Sequence, residues 1–105
     1  MLVGAGVFQL HVSWDPVKAR SNRNKHRVTF EQAATALNDP LASSVRDKDH
    51  SENEERWVTL GRTAGGMLIV VVHTYHEVGV DAANVRIISA RPAGKRERRQ
   101  YETSR

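Results

Sequence analysis

The first hydrophobic pattern in the chain is a strict alternation of apolar and polar residues. The apolar positions are Phe8, Leu10, Val12 and Trp14. A period of two is typical of a strand that buries one face, so a strand is predicted here. Asp15 is a good N-cap, and Pro16 suits the first position of a helix. We therefore expect the strand to end at Trp14 and a helix to run from Pro16 to about His26.

A second helix is predicted by a capping box and by the helical spacing of the apolar residues that follow it. Thr29 and Gln32 stand three residues apart, as the capping box requires. The apolar residues at i, i+3, i+4 and i+7 spacing are Phe30, Ala33, Ala34 and Leu37. This spacing forms one stripe, which we expect to face the core. The helix should end at Asn38, Asp39 and Pro40, because proline cannot continue it.

The middle of the chain has the pattern of a hairpin in a sheet. A strand is predicted from Arg56 to Arg62, and the turn from Thr63 to Gly66 needs its glycines. Residues Met67 to Val72 are apolar on both faces, which is typical of a central strand that is covered on both sides. The acidic and polar residues 47–55 predict a solvated loop before this hairpin.

The last part of the chain predicts one more strand and a closing helix. After a looser stretch from His76 to Asn84, Val85 to Ala90 has a strand pattern. Pro92 then opens a highly charged helix from Ala93 to Glu102. The order of elements favours an α+β fold with a small antiparallel sheet, two helices on the N-terminal side and one C-terminal helix.

The length of 105 residues leaves room for one hydrophobic core, so we expect a single domain over residues 1–105. Residues 1–7 are expected to be loosely ordered. They have no basic leader and are interrupted by Gly4 and Gly6, so they fit a signal peptide poorly. No apolar run approaches the ~20 residues that a membrane span needs. These features favour a cytoplasmic protein.

The charge balance indicates that this small domain attracts polyanions. Sixteen Lys and Arg residues against twelve Asp and Glu residues give a formal net charge of +4. Such an excess favours nucleic acid as a partner. The chain contains no cysteine, which excludes disulfides, thiolate zinc sites and a cysteine nucleophile.

Most of the cationic residues fall in three groups, in the first helix, the strands and the closing helix. They are Lys18, Arg20, Arg23, Lys25, His26 and Arg27; Arg56, Arg62, Arg86 and Arg91; and Lys95, Arg96, Arg98 and Arg99. A solvated surface explains most of the helical ones. Arg56 and Arg62 share a predicted strand face with apolar residues, and Arg86 aligns with Ile88. We expect the strand arginines at the rim of the core face, where guanidinium groups are suited to bind phosphate through two hydrogen bonds.

Metal-free RNA cleavage is one chemistry that such residues serve. It needs a base for the 2′-hydroxyl, an acid for the leaving oxygen and cations around the phosphorus centre. The candidates for the two proton transfers are Glu55, His26, His73 and Tyr101. The sequence does not choose among them. A histidine at the end of an apolar strand, such as His73, is more often a packing residue, and Tyr101 more often packs than reacts.

Two patterns resemble metal sites, and neither meets the requirements of one. Asp47 and Asp49 begin like a calcium loop, but Glu52 stands where that loop needs glycine. His73 and His76 are three residues apart, so on a strand they would face opposite ways. The sequence also lacks the glycine-rich loops that bind phosphate or dinucleotides, so we expect neither a metal nor a cofactor.

Several short blocks, in order along the chain, resemble the BrnT family of toxins. They are Trp14-Asp15-Pro16-x-Lys18, Asn22-x-x-Lys25-His26-x-Val28-x-Phe30-Glu31-x-Ala33, Glu54-Glu55-Arg56, Leu60-Gly61, Gly66 to Val72, Arg86-Ile87-Ile88-Ser89-Ala90-Arg91, Arg96-Glu97-Arg98 and Tyr101. The resemblance extends from Phe8 to Glu102. Arg27 departs from it, because the family pattern often has glycine there and a left-handed turn costs a non-glycine residue about 1 kcal/mol. The connection from His76 to Asn84 also looks longer than usual.

The resemblance implies a fold similar to that of the RelE-type ribonuclease toxins, and metal-independent cleavage of cellular RNA that stops translation and growth. It also implies a hetero-oligomer with a BrnA-type antitoxin. Such antitoxins carry a ribbon-helix-helix domain, so operator DNA would be bound only through the antitoxin. The residues that the resemblance makes site candidates are Lys25, His26, Glu55, Arg56, Arg86, Arg91 and Tyr101. The arginines are expected to bind phosphate, and Glu55, His26 or Tyr101 to transfer protons.

Two other functions stay open from the sequence. A chain of this fold that has lost activity would still bind RNA or an antitoxin through its basic surface. A DNA-binding subunit is the second alternative, although the sequence has no evident recognition-helix pattern.

Overall fold

The computed structural model describes residues 8–50 and 54–103, and in this part of the chain six strands form one sheet. The elements in chain order are β1 (Gln9–Trp14), α1 (Pro16–His26), α2 (Phe30–Ala36), β2 (Ser43–Arg46), a 3₁₀ turn (Lys48–His50), β3 (Arg56–Arg62), β4 (Leu68–Thr74), β5 (His76–Val78), β6 (Ala82–Pro92) and α3 (Lys95–Thr103). The strands lie in the order β1-β6-β4-β3-β2, and β5 pairs with β6. Residues 1–7, which we expected to be loosely ordered, lie outside the described residues.

β4 is the central strand, and it is buried on both faces as the sequence predicted. On one face, Ile69 and Val71 belong to the main core together with Phe30 of α2. On the other face, Leu68 and Val70 belong to a smaller core that includes a residue of α3. We call these two sides of the sheet the α1–α2 face and the α3 face. The observed architecture is therefore α+β, with helices on both sides of one sheet.

The prediction of an antiparallel sheet is wrong at one edge. β1 pairs with β6 in parallel, from Gln9 opposite Ala82 to Trp14 opposite Ile87. The pairs β2–β3, β3–β4 and β4–β6 are antiparallel, as predicted. No short turn joins β1 to β6, so nothing in the local sequence sets their relative direction.

Two strands lie where the sequence predicted none. β2 is exposed at all four of its positions, so it shows no alternation of apolar and polar residues. β5 lies inside the stretch from His76 to Asn84 that was predicted to be loose. It pairs antiparallel with the start of β6, and Gly79 takes a positive φ of 71° between them. That stretch is therefore a hairpin whose turn requires a left-handed residue.

One side chain fastens α1 to the edge of the sheet. The pairing of β1 ends opposite Ile87, so β6 continues beyond its neighbour. There Asn22 Nδ2 donates to the carbonyl of Ala90 over 2.8 Å, and the Ala90 N–H donates to Asn22 Oδ1 over 3.0 Å. Asn22 Nδ2 also donates to the carbonyl of Val28. The buried amide thus satisfies backbone groups that a neighbouring strand would otherwise satisfy.

A bulge in β6 determines which of its residues share a face. Val72 pairs with Ser89 but His73 pairs with Ile87, so Ile88 is an extra residue on β6. In a regular strand of the same length, residues 86 and 91 would face opposite ways, because they are five positions apart and side chains alternate along a strand. With the bulge, Arg86 and Arg91 both lie on the α3 face.

The backbone at the end of α1 is left-handed at a residue other than glycine. Arg27 has φ 62° and ψ 28°, and its N–H donates to the carbonyl of Arg23 over 2.9 Å. Arg27, which stands where the family pattern often has glycine, therefore has the strained left-handed geometry. The strain allows the chain to turn directly from α1 into Val28, which is fully buried.

We predict that Arg27→Gly raises the free energy of unfolding by about 1 kcal/mol, because glycine adopts a positive φ without the Cβ clash. Urea denaturation would measure the change. The control is Arg23→Gly, the same substitution in the last turn of α1, which should lower the free energy of unfolding by about 1 kcal/mol. Equal destabilisation by both substitutions would contradict the strain at Arg27.

Candidate functional site

Two arginines lie on either side of a threonine at one end of the α3 face. Arg56 pairs directly with Thr74 across β3 and β4. The Arg86 N–H donates to Thr74 Oγ1 over 2.9 Å. The three residues therefore form a row across β3, β4 and β6, which we call the arginine row. Arg56 and Arg86 are two strand spacings apart, about 10 Å.

One carboxylate is bound to the arginine row through Arg86. Arg86 Nη2 and Nη1 donate to the two oxygens of Glu54 over 2.5 and 3.3 Å. This hydrogen bonding lowers the pKa of Glu54, and the charges of Arg56 and Lys18 lower it further. Lys18 of α1 therefore belongs to the same cationic cluster as the two arginines. The side chains of Arg86 and Glu54 keep 45% and 42% of their surface exposed, so this pair is open to solvent.

A cleft of about 660 Å³ adjoins the arginine row at the end of the sheet. Its lining residues are Glu54, Glu55, Trp57, Thr74, Tyr75, His76 and Glu77. Glu54 and Thr74 belong both to this cleft and to the surroundings of the arginine row. We call it the Trp57–Tyr75 cleft, because these half-buried aromatic side chains form part of its wall.

The two aromatic rings of the cleft meet edge to face. Their centroids are 6.4 Å apart, and the ring planes are inclined by 65°. Trp57 Nε1 donates to Glu55 Oε1 over 3.1 Å. Burial raises the pKa of Tyr75, and the charge of Glu77 raises it further. The cleft thus combines aromatic surface with carboxylates.

Arg91 lies on the same face as the arginine row but is bound to α3. Its guanidinium donates to both oxygens of Glu97, over 2.8 and 2.6 Å. Glu97 also accepts the N–H of Gly94. Hydrogen bonding to Arg91 lowers the pKa of Glu97 to about 2. The predicted phosphate contact of Arg91 would therefore compete with an ion pair that closes the start of α3.

Tyr101 lies at the opposite end of β3 from the arginine row. Its hydroxyl donates to Asp39 Oδ2 over 2.6 Å, and the Arg62 guanidinium stands 5.2 Å from its ring centroid. Hydrogen bonding to Asp39 raises the pKa of Tyr101. Arg62 and Arg56 are six residues apart on one strand, which corresponds to about 20 Å. Tyr101 is only 3% exposed and connects α3 to the end of α2.

The remaining predicted residues lie at the end of α1 and in the cleft. Lys25 is exposed and His26 is half-buried in the last turn of α1. Lys25 lies seven positions after Lys18 on the helix, about 10 Å along the axis. Glu55 lines the Trp57–Tyr75 cleft beside the arginine row. The structure therefore gathers Arg56, Arg86 and Glu55 at one end of the sheet.

Sequence reasoning missed several residues that surround this end of the sheet. They are Lys18, Glu54, Trp57, Thr74 and Tyr75. Lys18 was recognised as part of a cationic helix, but its approach to Glu54 depends on how α1 docks. Trp57 stands next to Arg56 in a predicted strand, so strand alternation already indicated that the two point to opposite faces.

His73 is a buried packing residue, which is the role that the sequence analysis favoured for it. It is 5% exposed, and its Nδ1–H donates to the carbonyl of Thr74 over 2.9 Å. Its Nε2 therefore accepts from the Thr59 hydroxyl over 2.6 Å, and Thr59 Oγ1 accepts from Ser44 over 2.7 Å. Burial lowers the pKa of His73. This chain of hydrogen bonds joins β2, β3 and β4.

Within 8–50 and 54–103, no three histidine, aspartate or glutamate side chains lie close enough together to hold a metal ion. In the same ranges, none of the helices has the length and apolar character to span a membrane.

Comparisons with known proteins agree on one family. The family model described as "Ribonuclease toxin, BrnT, of type II toxin-antitoxin system" matches residues 14–97. Among solved structures, the crystal structure of the Brucella abortus ribonuclease toxin BrnT is similar, with a TM-score of 0.53 and 23% sequence identity. The alignment covers 84% of this chain and 99% of the Brucella chain. At this identity the structural likeness concerns the fold. No curated protein sequence matches the chain.

We predict that the protein loses stability as the pH falls below about 6.5, the ordinary pKa of histidine. The lowered pKa of His73 means that the unfolded chain takes up a proton before the folded chain does, so stability is full above pH 6.5 and decreases towards the folded pKa. Denaturation at pH values from 5 to 8 would show the slope. His73→Gln should flatten it, whereas His76→Gln, at an exposed position, should not; an unchanged slope in His73→Gln would refute the assignment.

Proposed function

The chain belongs to the BrnT family of ribonuclease toxins of type II toxin-antitoxin systems, and we propose that it cleaves RNA without a metal ion at a phosphodiester bound by the arginine row. Cleavage of cellular RNA would inhibit translation and growth. The site is the end of the α3 face that carries Arg56 and Arg86, where the charge of Lys18 also acts on Glu54. The RelE-like ancestry implied by the sequence resemblance stays a prediction.

A single observation carries the proposal: three cations act on one anion. Arg86 binds the Glu54 carboxylate through two hydrogen bonds, and Arg56 and Lys18 also lower its pKa by their charge. A carboxylate and a phosphate are both anions with oxygen acceptors, and guanidinium groups bind either one through paired hydrogen bonds. Glu54 therefore occupies a position that suits a phosphodiester of RNA.

The chemistry of metal-free cleavage gives each group a role. The 2′-oxygen attacks the adjacent phosphorus, the bond from phosphorus to the 5′-oxygen breaks, and a 2′,3′-cyclic phosphate and a 5′-hydroxyl are formed. Arg56, Arg86 and Lys18 would stabilise the negative charge that grows on the phosphorus centre. Glu55, in the adjoining cleft, is our candidate for the base that accepts the 2′-hydroxyl proton.

The leaving oxygen needs a proton donor. His26 and Tyr101 were predicted for proton transfer, but Tyr101 is bound to Asp39 at the far end of β3 and His26 lies at the end of α1. We retain His26 as the candidate acid, together with Lys25 beside it, because α1 also carries Lys18 of the cationic cluster. Their involvement requires RNA to extend along α1.

The same cationic cluster suggests how a partner would neutralise the protein. We propose that a BrnA-type antitoxin with a ribbon-helix-helix domain covers this end of the sheet in a hetero-oligomer, and that operator DNA is bound through the antitoxin. The contact between Arg86 and Glu54 supports this idea, because a carboxylate already occupies the place that we propose for phosphate. An acidic segment of the partner would compete with RNA there.

A cleavage assay in excess EDTA tests the proposal with antitoxin-free protein. The expected result is RNA fragments that end in a 2′,3′-cyclic phosphate. RNA that is bound but stays intact would favour the alternative of an inactive RNA-binding or antitoxin-binding module. Cleavage that occurs only after addition of a divalent metal would contradict the metal-independent mechanism.

We predict that Arg56→Ala and Arg86→Ala each reduce the cleavage rate by about 100-fold or more, because each removes one group that stabilises the transition-state charge. Single-turnover cleavage of a defined RNA in EDTA would measure the effect. Both variants should also relieve growth arrest when expressed in cells.

The matched control for these variants is Arg96→Ala, which removes an exposed arginine from α3. Its rate should stay close to that of the unchanged protein. Circular dichroism of each variant would establish that it is folded. If folded Arg56→Ala and Arg86→Ala proteins cleave at the normal rate, the site is misplaced.

We also predict that Glu54→Gln tightens RNA binding by roughly five-fold, the size of effect expected for one exposed charge pair. The neutral amide no longer competes with phosphate for Arg86. Fluorescence anisotropy with a labelled RNA would measure the dissociation constant, and Glu102→Gln on α3 is the control for the change in net charge. Equal effects of the two substitutions would show that Glu54 does not occupy the phosphate position.

A further inference from the structure

We propose that the Trp57–Tyr75 cleft binds a nucleobase of the RNA, with a preference for guanine, next to the phosphodiester on the arginine row. This inference rests on the proposed function, because it adds base recognition to the same site. It makes the protein a ribonuclease with a preferred base beside the cleaved bond.

The position of the cleft relative to the arginine row is the first argument. Thr74 lies between the two arginines and also lines the cleft. Glu54, which stands where we place the phosphate, lines it as well. A nucleotide whose phosphate binds Arg86 therefore has its base within reach of the cleft. A phosphate site and a base site that share two residues are suited to one nucleotide.

The aromatic wall is the second argument. Trp57 and Tyr75 are half-buried, so each ring is supported by the protein and still presents surface to the cleft. Bases of single-stranded RNA are commonly bound by stacking on such rings. Because the ring planes are inclined by 65°, a base that stacks on one ring meets the other at its edge. The volume of about 660 Å³ is within the range of small-molecule sites.

The carboxylates of the cleft indicate which base fits. Glu77 lines the cleft and, while ionised, can only accept hydrogen bonds. Guanine presents two neighbouring N–H donors, the ring imino group and the amino group, on its pairing edge, and a carboxylate can accept both. Adenine and cytosine present an amino group beside an acceptor, and uracil presents one imino group between two carbonyls. Guanine is therefore the base whose paired donors match a carboxylate in this wall.

The same charges keep the two parts of a nucleotide in separate sites. Phosphate is repelled by the carboxylates of the cleft and attracted by the arginine row and Lys18. The base carries no net charge, so it enters the cleft without that repulsion. This arrangement orients the nucleotide with its phosphate towards β6 and its base towards Tyr75.

Nuclear magnetic resonance tests base binding without requiring cleavage. The chain has two tryptophans, so ¹⁵N-labelled protein shows two indole N–H signals, and Trp57→Phe identifies the one from Trp57. The probe is 2′-deoxyguanosine 3′-monophosphate, which lacks the reactive hydroxyl. We expect it to shift the Trp57 signal at concentrations at which the adenine, cytosine and thymine nucleotides do not. A Trp57 signal that stays unchanged with all four nucleotides would overturn the proposal.

Two variants and a control connect this binding to specificity. Tyr75→Ala should weaken binding of the guanine nucleotide about tenfold, as expected for loss of one stacking ring. Glu77→Gln should lower the preference for guanine over adenine, because the amide offers a donor as well as an acceptor. Both should reduce cleavage next to guanine in a short RNA with a single guanosine, whereas Glu102→Gln should leave binding and base preference unchanged.

The outcomes separate this inference from the proposed function. RNA cleavage with no base preference and with an unmoved Trp57 signal would leave the ribonuclease standing and overturn the base site. Guanine-specific binding without any cleavage would support the base site and overturn the ribonuclease. A Trp57 signal that responds to acetyl-arginine amide and not to nucleotides would identify a site for a cationic peptide and overturn the proposal.

Discussion

The arrangement of this molecule depends on how β6 is paired after β1 has ended. A strand edge left open in the interior would expose backbone donors and acceptors that water cannot reach. Asn22 resolves this by bonding both the N–H and the carbonyl of Ala90 with one buried amide. The same contact fixes the position of α1 against the sheet. Lys18, one helical turn before Asn22, is thereby held on the side of α1 from which its charge acts on Glu54.

In the candidate site, the cations and the carboxylates occupy two adjoining but separate surfaces. Cations converge from three elements, since Arg56 comes from β3, Arg86 from β6 and Lys18 from α1. The carboxylates and aromatic rings lie immediately beside them, around the end of β4. A single-stranded RNA, which alternates charged phosphates with neutral bases, is complementary to such a surface. A protein partner would need only its acidic side chains to occupy the cationic half.

The sequence was most informative where a pattern repeats locally, and least where the fold joins distant segments. The capping box of α2 and the two-sided burial of β4 follow from neighbouring residues, and both are present as predicted. The parallel pairing of β1 and the bulge at Ile88 depend on partners far along the chain, so no local pattern reveals them.

The candidate site shows the same division. Arg56 and Arg86 were identified as residues of interest from their place on strands. Their position on either side of Thr74 could not be predicted, because it depends on the register between β3, β4 and β6. Tyr101 and Arg91 are the opposite case, because their chemistry suits a nuclease but their partners in the fold were not predicted. Tyr101 is bound to Asp39, and Arg91 is bound to Glu97.

The extra residue in β6 restricts how this stretch of the protein can vary in evolution. Side chains alternate along a strand, so the number of residues between Arg86 and Arg91 decides whether they project to the same side. Loss of one residue would remove the bulge and leave the two arginines four positions apart in a regular strand, still on one side. Loss of two would leave them three positions apart and turn one guanidinium towards the buried helices. Natural shortening of β6 between the two arginines is therefore expected to remove a single residue.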